Sequence, residues 1–373
     1  GNVTFAGNTT LTTLNTASQD YNVIFNGSTN TITNAVTFSN TGYIKFGDAS
    51  SDSITFNNGL TTTAPSGIRL AGTLQTSNDA MSLGDANTAI VLYANSILNT
   101  GSAALTVNTT VNGGYTLTLN STDATTFAGI VGGSAAPTAI TTNSGGTVVF
   151  NTTAITSSGG QTYGENATIG ANITFTTGGN NLTFSGTVNS VSSTKTLDIV
   201  AGSGDVTFSG TVGGSEALGN TTIGVAGLTA GAIKVQGTLA ITNSATSSIT
   251  GIISDGDSAA ILTKAGAGTL TLSGDNTFTG AVTVNAGILS ITHADSLGTT
   301  DGATTVASGA ALNISGGITT AAEGITISGT GVSNRGAIRS VSGNNTIAGL
   351  SLIHISEPTR RRGISYAVFC LKK

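Results

Sequence analysis

Reactive side chains are scarce in this chain, so the few that exist can be weighed one by one. A nucleophilic serine needs a histidine base and a carboxylate to orient that base. Gly256-Asp257-Ser258 offers a serine in a tight polar turn, and His293 is the one histidine before residue 351. The orienting acid would have to come from scattered carboxylates. The turn therefore reads better as the polar start of a repeat, and His293 as a solvated residue just after a strand. Asp255 and Asp257 form the closest acidic pair, but Ca²⁺ takes about six to eight oxygens. Zinc would need a Cys/His cluster, and Cys370 is the single cysteine. A polysaccharide lyase would need a basic group beside the developing enolate. Lys195, Lys234 and Lys264 are far apart in sequence, and only the stacking of successive chain turns could gather them. No catalytic residue, cofactor ligand or metal ligand is assigned on this reading, and no cofactor is expected. Tyr21, Tyr43, Tyr93, Tyr115 and Tyr163 remain as candidates for stacking against sugars, or else for ordinary strand and core packing.

The elements that would carry such residues follow from composition. Of 373 residues 53 are Gly, charged residues make up 8 %, Trp is absent and Pro numbers 3. Globular chains carry about 25 % charged residues and about half this proportion of glycine. Glu, Lys, Arg and Met are so few that helix formers are nearly missing. Twelve Lys and Arg are too few to grip a nucleic-acid backbone, so no nucleic-acid partner is expected. No apolar run reaches the roughly 18 residues of a spanning helix, and no Gly-X-Y period marks a collagen. Apolar content of 38 % argues against disorder. An all-β protein is what survives.

The local pattern agrees. Asn2-Val-Thr-Phe5, Thr269-Leu-Thr-Leu272, Ala281-Val-Thr-Val284 and Gly324-Ile-Thr-Ile327 alternate apolar and polar residues. Period two gives a strand one buried and one wet face. Between these runs lie Gly, Asn, Ser and Asp clusters, the residues of turns. Degenerate repeats are present. Asn181-Leu-Thr-Phe-Ser-Gly-Thr-Val188 returns as Asp205-Val-Thr-Phe-Ser-Gly-Thr-Val212, and Phe127-Ala-Gly-Ile-Val-Gly-Gly-Ser134 is similar to Phe208-Ser-Gly-Thr-Val-Gly-Gly-Ser215. A unit of roughly 20–24 residues with about three short strands describes one turn of a solenoid. One turn alone buries too few side chains, at about 1.5–3 kcal/mol each, to offset about 1–2 kcal/mol of backbone entropy per residue. Stacked turns succeed because each pairs with two neighbours. The pattern predicts a parallel β-solenoid of about 15–17 turns, with Phe184 and Phe208 interior. The competing architecture is a string of β-sandwiches, for which Asn26-Gly27, Asn58-Gly59 and Asn112-Gly113 would serve as hairpin turns.

The densest motif is Lys264-Ala-Gly-Ala-Gly-Thr-Leu-Thr-Leu-Ser-Gly-Asp-Asn-Thr-Phe-Thr-Gly280, followed by Ala281-Val-Thr-Val-Asn-Ala-Gly-Ile-Leu-Ser-Ile291. It closely resembles the autotransporter-associated β-strand repeat of bacterial type V secretion passengers. Residues 1–250 resemble, in composition, the looser passengers of large surface adhesins. The resemblance implies a right-handed single-stranded parallel β-helix, incomplete at both ends of this chain. It also implies display outside a Gram-negative cell, with an export signal before it and a membrane β-barrel after it as the sole membrane contact. In that setting the repeat aids folding during export. Leu270, Leu272, Val282, Val284, Leu289 and Ile291 are expected inside. Gly266, Gly268, Gly274, Gly280 and Gly287 are expected where the chain must bend without a Cβ penalty.

Residues 351–373 break the pattern. They hold five of the 12 basic residues and one acid, leaving residues 1–350 with a net charge of −9. Ser351–Arg360 and Ile364–Lys373 resemble, in order, the translation of a sequencing-library adapter, and the segment is read as foreign. The expected organisation is 1–250 as degenerate solenoid, 251–350 as solenoid with the repeat core at 264–291, and 351–373 as a foreign ending. The expected function is a non-enzymatic surface rod or adhesin meeting a cell-surface glycan or protein, or a second copy of itself. The alternatives are a lyase-like carbohydrate-active β-helix and an ice-binding array of Thr-x-Thr pairs, the latter disfavoured by irregular spacing.

Overall fold

Short alternating strands bounded by turn residues cannot close a core alone, and the computed structural model shows how they close one together. It describes residues 1–349 and the backbone of Ser351–His354. The remainder of the foreign-looking ending, Cys370 included, lies outside the described residues. Every strand pairing among the described residues is parallel, in two units that divide at Val191/Ser192. Together they wind about 16 turns, within the expected range. No helix among the described residues is long and apolar enough to cross a membrane.

In the first unit three faces are built from strands one turn apart. The first face runs Asn2–Phe5, Asn22–Phe25, Ile44–Phe46, the start of Gly67–Thr76, the start of Ala89–Gly101 and Thr110–Asn112. The second begins Thr9–Leu11, Thr29–Ile32, Ser53–Phe56 and ends at Leu182–Phe184. The third runs from Val36–Thr37 through Leu60–Thr62 to Val188–Ser190. The second unit repeats the plan. One face runs from Leu197–Val200 to Ile325–Ser328, and the backbone of Ser351–His354 adds a further strand to it. Another runs from Val206–Phe208 to Ile338–Ser342. The turn length varies: it is 18 residues where Ile223 faces Ile241 and 26 where Leu312 faces Ile338, for example. Extra residues fall in the corners and in register shifts along strands, as between Ile314 and Ser315 and between Val235 and Gly237.

Alternation places the core. Thr116–Ser121 switches strictly between partly exposed and buried positions, with Leu117 and Leu119 inside. Apolar residues at equal register stack on one another up the interior. Phe5 and Phe25 stack at 4.8 Å between centroids, and Phe25 and Phe46 at 6.0 Å. A second cluster joins Phe127, Phe150, Tyr163, Phe175 and Phe184. Phenylalanine columns thus supply bulk that tryptophan supplies elsewhere, at roughly 0.5–1.5 kcal/mol per ring pair beyond area burial.

The repeats seen in sequence occupy equal places. Phe184 in the first unit and Phe208 in the second are both buried. Val131 and Val212 sit in isolated parallel bridges, Val131 with both Val111 and Ile155 and Val212 with Ile233, and the glycine after each has positive φ, 75° at Gly132 and 72° at Gly213. A Cβ there would strike the carbonyl oxygen of Thr156 or Lys234 on the next turn. The three Asn-Gly pairs do not make hairpins. Asn112-Gly113, for example, leads from Thr110–Asn112 to Thr116–Ser121 on the adjoining face, and both strands pair in parallel with other turns. The sandwich alternative fails for that reason.

Candidate functional site

The turn that holds the repeat is fastened by polar groups as well as by its core. Leu270, Leu272, Val282, Val284, Leu289 and Ile291 are all buried, as the alternation requires, and Phe278 joins them. Of the five glycines, Gly266 and Gly287 take positive φ. Gly268, Gly274 and Gly280 do not; a Cβ on each would run into a carbonyl of the preceding turn, from Ala245, Gly251 or Ala260. Close stacking, and not bending, explains those three.

Three polar side chains, Lys264 and Asn276 buried and Asp255 half-buried, tie this turn to its neighbours. Lys264 is fully buried, and its Nζ donates to the carbonyls of Ala265 (2.8 Å), Gly266 (2.9 Å) and Ala286 (3.1 Å). Burial lowers its ammonium to about 8 from 10.5. Asn276 accepts from the Ile253 N–H at 2.8 Å and donates to the Ser296 carbonyl at 2.6 Å, so one amide spans three turns. Asp255 accepts from the Ala260 N–H at 2.7 Å and from the Thr279 hydroxyl at 2.7 Å. Sequence patterning finds the apolar positions, but nothing in a single chain marks Asn276 or Lys264 as interior, because both are ordinarily surface residues.

The candidates for chemistry disperse. Ser258 is exposed, and no hydrogen bond joins it to His293 among the described residues. Asp257 accepts from the Ser193 hydroxyl at 2.8 Å, whereas Asp255 is committed to Ala260 and Thr279, so the acidic pair does not act as one. Lys264 is sealed inside and unavailable to a substrate, which leaves Lys195 and Lys234 without it. His293 does gain company that its sequence position did not predict. Its Nδ1 lies 4.0 Å from an Asp275 oxygen and 3.9 Å from an Asp295 oxygen. The three ligand atoms fall within 4.8 Å of one another, with Asp275 exposed. That Nδ1 accepts the Asp295 N–H at 3.3 Å. Asp275 sits one turn below His293, and only the stacking register brings them together.

The tyrosines divide by exposure. Tyr163 is fully buried, its hydroxyl donating to Gln161 at 2.9 Å, so it cannot meet a sugar. Tyr21 is half-buried and its hydroxyl accepts the Ala17 N–H. Tyr93 and Tyr115 are 49 % and 42 % exposed. The Arg69 guanidinium lies 3.8 Å over the Tyr43 ring and 5.7 Å from the Tyr93 ring.

Comparison with known proteins bears on the repeat. Residues 262–291, which contain the 264–291 core, match the Passenger-associated-transport-repeat. The adhesin BmaC autotransporter of Brucella suis biovar 1 (strain 1330) is 33 % identical over 130 residues, 34 % of this chain and 4 % of that protein. The matched stretch is thus a small part of that relative's length. No solved structure matches the chain.

Proposed function

We propose that this chain, a β-solenoid with a passenger-associated transport repeat built into it, is a stretch of an autotransporter adhesin's passenger. It stands outside a Gram-negative cell and binds without catalysing. The observation that carries the reading is the repeat's turn itself, seated in an unbroken parallel ladder and locked by Lys264, Asn276 and Asp255. A turn so fastened forms early and resists reopening. Outside the membrane it would keep an emerging chain from sliding back, because each later turn needs only to pair with one already formed.

The non-catalytic part of the reading is supported by what the reactive groups do. Lys264 donates to three backbone carbonyls, Asp255 accepts from Thr279 one turn on, and Asp257 accepts from the Ser193 hydroxyl. The outward faces are Thr, Asn and Ser on a rigid frame, suited to contact with a glycan, a protein or another copy. Residues 251–350 act as the folding part and 1–250 as the displayed part.

The test places the chain between an export signal and an outer-membrane β-barrel in a Gram-negative host. The expected result is a protease-accessible passenger at the cell surface and adherence of those cells to epithelial monolayers. Passenger that is exposed and folded but confers no adherence would overturn the adhesin reading. Passenger retained in the periplasm would overturn the export reading.

A further inference from the structure

Within residues 1–191 there are only two Lys or Arg, Lys45 and Arg69, against seven Asp and Glu. The fold sets the two side by side. Lys45 and Arg69 are register partners on adjacent turns of the first face, and Val91 continues the same outward column. Tyr43 and Tyr93 flank the column, both within cation–π range of the Arg69 guanidinium. Lys45 is occupied, donating to Asn26 at 2.9 Å and lying 3.6 Å from Asp48. Arg69 forms no ion pair with any described carboxylate, and its guanidinium N–H groups make no hydrogen bond there.

We propose that Tyr43, Lys45, Arg69 and Tyr93 form a binding site for a carboxylated sugar, a uronic acid unit of an acidic polysaccharide. The assignment rests on the surface-adhesion reading and gives it a ligand class. The Arg69 guanidinium, its carbon 3.8 Å over the Tyr43 ring and its N–H groups without a partner among the described residues, has the fork that matches the two oxygens of a carboxylate. Tyr93, half exposed, offers the apolar face against which a sugar ring packs. The surroundings favour a flat ligand: Gly67 and Ala89 pair two residues before Arg69 and Val91, so no bulky side chain stands at that end of the column. A peptide added as a strand has no purchase here. The strands bearing Lys45, Arg69 and Val91 are each paired on both sides, so no backbone edge is open.

The test uses the whole chain with polygalacturonate, its carboxyl-reduced counterpart and poly-glutamate as probes, by biolayer interferometry. The expected result is binding to polygalacturonate that is about tenfold or more weaker for the carboxyl-reduced polymer and for R69Q. R69K should recover only part of it, since a lysine lacks the planar fork, and Y93A should lose about fivefold through stacking alone. Circular dichroism of each variant separates lost binding from lost fold. Equal binding by folded R69Q, equal binding to poly-glutamate, or no binding to polygalacturonate would each overturn the site. Displayed cells carrying R69Q separate the two readings. If they adhere like the parent, this site fails while adhesion stands; if the parent itself does not adhere, the broader reading fails.

Discussion

Lys264 carries the clearest consequence of a single side chain. Three partly buried carbonyls accept from its Nζ, and Lys264→Met would keep the volume while removing that donor. The expected loss is about 2–4 kcal/mol in urea unfolding. Titration gives a second handle. Burial raises the Glu165 and Glu323 carboxyls from 4.5 to about 7, opposed in part by the Thr142 and Thr304 hydroxyls. A folded value above the unfolded one means that the native chain binds more protons between about 4.5 and 7. Their favourable contribution is full below 4.5 and falls as pH rises through 7. Lys264 shifts the other way, its folded value of about 8 lying below 10.5. The unfolded chain binds more protons between those values, so stability contributed by this group rises with pH across that window. Melting temperature measured against pH should therefore decline from 4.5 to 7. The double variant E165Q/E323Q should flatten that decline, and an unchanged slope would count against the buried carboxyls as its cause.

Among elements, the corner after Thr269–Leu272 has the most to lose. Asn276 there joins the Ile253 N–H of the turn before to the Ser296 carbonyl of the turn after. Asn276→Ala strands a buried donor and a buried acceptor on different turns. The expected cost is about 2–4 kcal/mol, larger than for an amide serving one turn. Asn34→Ala is the contrast: its side chain reaches only the Thr13 hydroxyl in an exposed corner, and its loss should fall within about 0.5 kcal/mol. Chemical denaturation of the two variants checks the ordering, which a uniform effect would contradict.

For the molecule as a whole, stability is a sum of turns and of the interfaces between neighbouring turns. Opening is then local, and protection should vary along the chain. Amide hydrogen exchange read by mass spectrometry should find the slowest exchange within residues 262–291, where Lys264 and Asn276 add cross-turn bonds to the ladder. Peptides from residues 1–11, with strands at Asn2–Phe5 and Thr9–Leu11 paired on one side only, should exchange first. Uniform protection across both regions would show a single cooperative unit in place of a stack.

The sequence by itself determined the class of structure. Period-two alternation with turn residues at regular intervals permits a strand with one buried face, and a chain short of helix formers has little else to become. It also placed the core of the repeat, because Leu270, Val282 and Leu289 announce their inward side through their polar neighbours. Residues distant in sequence were another matter. Arg69 reaches Tyr43 and Tyr93, His293 reaches Asp275, and Asn276 reaches Ser296 only through the stacking register. That register changes by several residues from turn to turn, as corners lengthen and shorten. A corner's length is invisible to the alternation within strands, so which side chains share a column was decided by the ladder of backbone hydrogen bonds, and only the tertiary structure contains it.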